Sequence, residues 1–256
     1  MMLKTDALYT AVNPPELWSR RICLWVLLWL LLFLPPHQLI AQTGSLMGPS
    51  GVLLVPSATV AADGEIAVGV SRIPELYASR LRPYERSVFY GRIGYLPFLE
   101  LTAMVIRPDH YSGGIGDRSG HIKLRLMPEG RSWPALAVGA QDFFAIDEFN
   151  LEPWGAQHFA ALYAVASKTF IAPRSIAVRL HAGYGWDDLP AYERYLVGPF
   201  AGVEITPHPW IDLLAEYDSQ EFNVGMRLHL FSKLHLVLAL WKLQEFTSSV
   251  AISFVL

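Results

Sequence analysis

A chain of 256 residues that is 52% hydrophobic, with mean hydropathy +0.29, is too apolar for a disordered polypeptide and long enough for one large domain. Charged residues make up 17% of it, below the roughly 25% of an ordinary soluble domain, so its apolar surface belongs in a core or in lipid. A net charge of −3 and a single cysteine, Cys23, exclude a basic nucleic-acid footprint, a disulfide framework and a thiolate metal cluster.

Residues 1–41 read as a secretory signal peptide. An apolar run over 22–34 follows Arg20-Arg21, stops at Pro35-Pro36 and precedes the small Ala41, after which cleavage is expected. The run is shorter than the about 20 residues of a spanning helix. Cys23 leaves with it, and an exported, apolar, cysteine-free remainder has the profile of a bacterial outer-membrane protein. A Gly/Pro-rich segment, 42–63, comes next.

From residue 64 onward the hydrophobic pattern has period two rather than 3.6. Strands are expected over 65–72, 88–95, 99–105, 120–126, 134–141, 159–167, 175–185, 198–206, 211–218, 222–229, 234–241 and 249–255. In the third, Leu99, Leu101, Ala103 and Val105 oppose Glu100, Thr102 and Met104. In the fourth, Ile122, Leu124 and Leu126 oppose His121, Lys123 and Arg125. In the seventh, Ile176, Val178, Leu180, Ala182 and Tyr184 oppose Arg179, His181, Gly183 and Gly185, and in the ninth Ile211, Leu213, Ala215 and Tyr217 oppose Asp212, Glu216 and Asp218.

Residues 42–256 shared among 12 strands leave roughly 18 for each strand with its connection, which suits strands of about 9–11 residues tilted across a bilayer. The expected fold is all-β: an antiparallel up-and-down transmembrane β-barrel of about 12 strands over 64–256, after the signal peptide and the 42–63 segment. Short turns at 96–97, 128–130, 207–209 and 218–220 and longer connections at 108–119, 142–157 and 186–197 give the two rims different lengths. Trp133, Trp154, Trp186, Trp210 and Trp241, with Tyr84, Tyr95, Tyr111, Tyr184 and Tyr217, fall near strand ends, where aromatic girdles sit. A secreted β-sandwich has the same alternation and stands as the alternative.

Several segments together carry a resemblance. They are Gly48-Pro49-Ser50-Gly51 running on to Pro56-Ser57-Ala58, then Asp63-Gly64, Asp117 through Lys123, Pro134 through Gly139 to Asp142, Tyr163 through Ser167-Lys168, and Gly183-Tyr184-Gly185-Trp186. In this order, over 48–186, the chain resembles the YjbH-type exopolysaccharide biosynthesis proteins of Gram-negative bacteria. The resemblance implies an outer-membrane barrel linked to secretion of exopolysaccharide or capsule. Many family members are longer, so the chain looks like a short form.

Alternation points Glu100, His121, Lys123, Arg125, Arg179, His181, Glu204, Asp212, Glu216, Arg227 and His229 into the barrel. Mixed charge in a narrow lumen is costly unless paired or wet. It therefore either fills a plugged lumen as ion pairs or lines a path that hydrogen-bonds a hydrated glycan. No Gly-x-Ser-x-Gly, His-Glu-x-x-His or phosphate-loop motif occurs, and Gly113-Gly114-Ile115-Gly116 reads as a loop, so no enzyme activity and no cofactor are expected. A metal on His181 with His229, or calcium on Asp142, Asp147, Glu148 and Glu152, is weighed and set aside. The expected function is non-catalytic assistance of exopolysaccharide or capsule export or surface assembly. The expected partners are outer-membrane lipid or lipopolysaccharide, the polysaccharide chain and other export proteins, and not nucleic acid. The alternatives are a barrel enzyme acting on lipid or glycan and a structural envelope scaffold.

Overall fold

The computed structural model describes residues 44–74, 86–108, 117–146, 159–173, 176–189 and 195–256. The expected signal peptide 1–41, the 113–116 loop, Tyr84, Tyr111 and Trp154, and the Asp147, Glu148 and Glu152 part of the calcium set lie outside them.

The strands are β1 (Glu65–Ile73), β2 (Arg86–Tyr95), β3 (Leu99–Pro108), β4 (Asp117–Met127), β5 (Ala135–Gln141), β6 (Ala145–Ile146), β7 (Ala161–Ala172), β8 (Ile176–Trp186), β9 (Gly198–His208), β10 (Ile211–Tyr217), β11 (Phe222–Leu230), β12 (Leu234–Trp241) and β13 (Glu245–Val255). Successive strands pair antiparallel, and β1 pairs β13 from Glu65 opposite Val255 to Arg72 opposite Ser248, closing the sheet. The two-residue β6 only lengthens the ladder at the start of β4, so the barrel has 12 staves. Closure leaves no strand edge to hydrogen-bond, the condition for a sheet to lie in lipid.

The strand ends joined by the long connections 74–85, 109–116, 142–160 and 187–197 lie at one end of the barrel, and those joined by the short connections 96–98, 128–134, 173–175, 209–210 and 231–233 lie at the other. The 74–85 connection adds one to the three long connections expected. Two of the tight hairpins carry positive φ at both central residues, Phe231-Ser232 and Lys242-Leu243, each closed by the N–H of the fourth residue donating to the C=O of the first. That is the pattern of a type I′ turn, built here without the usual Asn-Gly.

Outward rows are apolar and exposed: Leu101, Ile122, Leu124, Leu180, Leu213, Val224, Leu240, Val250 and Ile252 all show more than a third of their surface. Exposed aromatic rings flank them, with Tyr95, Trp133 and Trp210 at the short-turn end and Tyr184, Trp186, Phe222 and Phe246 at the other. Trp241 is a correction to the girdle. It lies on the inward row of β12, 1% exposed, because Val237, Ala239 and Trp241 share one parity.

This register fixes an expected result. Leu180→Arg, mid-span on the outward row of β8, costs about 2–4 kcal/mol of folding stability in lipid, whereas Ala172→Arg at the short-turn end of β7 costs about 0–1 kcal/mol. Urea unfolding in lipid vesicles reads the difference. Equal costs would mean that this face does not meet hydrocarbon.

Candidate functional site

The Gly/Pro-rich segment, described from Gly44 on, lies inside the barrel. Gly-Pro-Ser-Gly over 48–51 breaks any regular strand, and residues 44–56 fold on themselves through isolated bridges between Gly44 and Ser50 and between Gly51 and Pro56. The Leu46 N–H donates to the Leu53 C=O (2.8 Å) and the Val52 N–H to the Val55 C=O (2.9 Å). Leu46, Met47, Val52, Leu53, Leu54, Val55, Ala58, Val60 and Ala61 are each at most 5% exposed. Gly48 has φ +103°, and a Cβ there would meet the Tyr90 ring at 2.8 Å, so both backbone and space require glycine.

Such an irregular segment satisfies only part of its own backbone, and an unpaired buried N–H or C=O is expensive. The inward charges of the wall supply the missing partners. On β10, Glu216 accepts from three successive amides, Leu53 (2.8 Å), Leu54 (2.9 Å) and Val55 (3.0 Å). On β3, Glu100 accepts from the amides of Ser50 and Ala61, both at 2.8 Å, and from the Ser50 hydroxyl. Lys123 on β4 donates to the Ser50 C=O (2.7 Å) and pairs with Glu100 (3.2 Å).

Arg227 on β11 donates through Nη2 to the carbonyls of Gly51 (2.8 Å) and Val52 (2.7 Å), while Nη1 reaches Glu204 (3.0 Å) and Asp212 (3.5 Å). The Ser167 hydroxyl on β7 accepts from the Ala58 amide at 2.7 Å. Charge-assisted bonds of this kind are roughly twice as strong as neutral ones, so the plug is held by a wall shaped to its backbone.

The remaining candidates fall into a second layer. Glu204 also pairs with Arg179, and Asp212 lies 2.7 Å from His229, whose Nδ1 is 3.1 Å from His235 Nδ1. His181 lies 2.8 Å from the Ser167 hydroxyl, and His121 accepts from the Asp142 amide at 3.2 Å. The structure thus separates His181 from His229, the pair weighed as a metal site. Among the described residues no group of three or more ligating side chains is placed to hold a metal. Arg125 stands apart, donating to the Pro97 C=O at the short-turn rim.

Glu100, Lys123 and Arg227 are at most 1% exposed and Glu216 is 4% exposed, so with the plug seated they offer no surface to a polymer.

The residues behind the resemblance divide between plug and wall. Gly48, Gly51, Pro56, Ser57 and Ala58 are plug, and Gly64, with φ +75°, turns the chain into β1. Lys123 and Ser167 are clamps. A Cβ on Gly139 would strike the Tyr163 ring at 2.4 Å, on Gly183 the Phe200 ring at 2.3 Å and on Gly185 the Leu196 C=O at 1.6 Å. Asp142 accepts from the Ser119 hydroxyl and the Phe159 amide, and Lys168 ties the 128–134 turn through the Gly130 C=O. Trp186 is an exposed rim aromatic, and Asp117 opens β4.

The expected set omits Arg92, which donates to the Ser50 hydroxyl (3.2 Å) and pairs with Glu65 (2.8 Å), and Asn223, which donates to Glu216 (3.1 Å). Both have inward parity on their strands, which was the available signal.

The profile of the YjbH family, described as exopolysaccharide biosynthesis protein YbjH, matches residues 43–227. That span opens at the plug and ends on its last clamp, Arg227. Among solved structures the chain is similar to a KdgM porin, with a TM-score of 0.46 and 8% identity over 75% of this chain and 99% of that one. No individually curated protein matches the sequence.

Proposed function

The chain belongs to the YjbH family of exopolysaccharide biosynthesis proteins, and from that premise we propose that it is an outer-membrane barrel that assists export or surface assembly of an exopolysaccharide without covalent chemistry. The observation that carries this reading is the family match itself, because its span covers the plug and every wall residue that grips it. The closed apolar exterior supports residence in a membrane, with the short turns toward the periplasm and the long connections outside.

The seated plug favours an accessory or gated role over a permanently open conduit. If the plug withdraws, the carboxylates, ammonium and guanidinium groups that hold its amides and carbonyls become available to sugar hydroxyls. Lipopolysaccharide, the polysaccharide and other export proteins are the partners this role requires.

Deleting the gene under conditions where the host makes the polymer tests the proposal. Less polysaccharide at the cell surface with accumulation in the periplasm is the expected result. Altered polymer length or lipid composition would instead indicate a barrel enzyme. Unchanged polysaccharide in both compartments would leave an envelope scaffold.

A further inference from the structure

On the inward face near the short-turn end, two positions beyond Arg227, two imidazoles meet. His229 of β11 and His235 of β12 stand directly opposite one another beside the 231–233 turn. Their ring centres are 5.3 Å apart with the planes at 80°, and the Nδ1 atoms face each other at 3.1 Å. Each Nε2 is engaged on the far edge of its ring: that of His229 lies 2.7 Å from Asp212 Oδ2, and that of His235 lies 2.9 Å from the Ser253 hydroxyl. Asp212 is itself held, because its Oδ1 accepts from the Thr206 hydroxyl at 2.6 Å.

An aspartate at His229 Nε2 calls for a proton there, which leaves Nδ1 as a lone pair aimed at the partner ring. With both rings neutral, a single proton fills the gap, donated by His235 Nδ1, while Ser253 donates to His235 Nε2. A serine hydroxyl accepts as readily as it donates, so turning it over puts His235 in the other tautomer and sets two Nδ1 lone pairs face to face. Two lone pairs at that spacing repel unless a cation lies between them. Zinc sits about 2.0–2.1 Å from an imidazole nitrogen, so two ligand nitrogens subtending a right angle to a tetrahedral angle are roughly 2.8–3.4 Å apart. The 3.1 Å between His229 and His235 falls in that range.

We propose that His229 and His235 bind a late first-row divalent transition-metal ion, such as Zn²⁺ or Cu²⁺, through their Nδ1 atoms at the short-turn mouth of the lumen. Asp212 and Ser253 fix the ring tautomers from behind, the usual arrangement of a metal-ligating histidine and its oxygen partner. With two side-chain ligands the ion keeps water in its remaining positions, and His229, with 17% of its side chain exposed, opens the pair to that water. Neutral imidazole suits zinc, copper and nickel, whereas calcium and magnesium prefer carboxylate and carbonyl oxygens. His121 and His181 take no part, since the Asp142 amide engages Nδ1 of the first and the Ser167 hydroxyl Nδ1 of the second. The site touches the plug clamps only through Asp212, which also faces Arg227 at 3.5 Å, and it stands whether or not the barrel exports a polymer.

The test uses the untagged full chain in detergent micelles, stripped with EDTA and showing the heat-modified gel band of a folded barrel. Competition with a chromophoric chelator is expected to give one tightly bound Zn²⁺ per chain, which Ca²⁺ and Mg²⁺ do not displace. His229→Gln and His235→Gln each lower the Zn²⁺ affinity at least tenfold, and His208→Gln, at the exposed short-turn rim, leaves it unchanged. Should either variant fail to fold, the parent loaded with one equivalent of Cu²⁺ decides, its electron paramagnetic resonance spectrum being expected to show two coordinating imidazole nitrogens. No bound Zn²⁺, displacement by Ca²⁺, a folded His229→Gln or His235→Gln chain that binds like the parent, or a Cu²⁺ spectrum with fewer than two imidazoles overturns the site.

Discussion

Deletion of residues 45–61 converts a silent barrel into a conducting one. In planar lipid bilayers the full chain is expected to pass no resolvable current, and the deletion variant to give stable single-channel steps. Barrels of about 8 strands are filled by their own side chains, while those of about 16–18 strands leave an aqueous channel. A ring of 12 staves lies between these limits, and here the difference is filled by buried plug residues such as Leu46, Met47, Leu53 and Val55.

Removing the plug leaves Glu100, Lys123, Glu216 and Arg227 facing one another across water. Wetting these charges is cheap, whereas burying them unpaired is not, so the deletion variant should still fold. A milder change, Glu216→Ala, strips the acceptor from the amides of Leu53, Leu54 and Val55. Each orphaned buried donor costs about 1–3 kcal/mol, so this variant should show brief openings. A deletion variant that inserts normally yet stays silent would mean that the wall closes the lumen by itself.

The barrel was readable from residues because a membrane-spanning strand has a strong local signature. One face of β3 is Leu99, Leu101, Ala103 and Val105, and a slip by one residue would place Glu100 in lipid. The same parity puts Glu100, Lys123, Glu204, Asp212, Glu216 and Arg227 on the buried row, since the sign of alternation is local information. The plug was not readable, because Gly44 to Ala62 has no periodicity and its partners lie far along the chain. Glu216 meets Leu53 and Arg227 meets Gly51 across separations of 163 and 176 positions.

The sequence therefore left these charges open to two readings, ion pairs filling a plugged lumen or a polar lining, although the mixture of carboxylates, Lys123 and Arg227 on one surface is what an irregular backbone, with both amides and carbonyls to satisfy, requires. Trp241 shows the converse error, in which residue type suggested a girdle and parity decided otherwise. The tight hairpins escaped notice because Phe231-Ser232 and Lys242-Leu243 adopt positive φ without a glycine to announce it.

Arg227→Met is expected to be the most damaging single substitution in the wall. The guanidinium is fully buried and joins both layers of the site, holding the Gly51 and Val52 carbonyls on one side and Glu204 and Asp212 on the other. Methionine preserves much of the volume but leaves two carbonyls without donors and two carboxylates facing each other with less positive charge between them. Arg179 and His229 still neighbour those carboxylates, which limits the loss to about 3–5 kcal/mol, the usual range for breaking a buried pair. Arg227→Lys restores the charge but not the fork, since one ammonium does not span two carbonyls and two carboxylates together, and is expected to recover about half. Arg125→Met, which removes a half-buried side chain with one carbonyl partner at the rim, should cost about 1 kcal/mol or less. Urea unfolding midpoints in lipid vesicles rank the three variants. If Arg227→Met unfolds with Arg125→Met, the Arg227 network does not hold the plug, and its contacts with Gly51 and Val52 are incidental to stability.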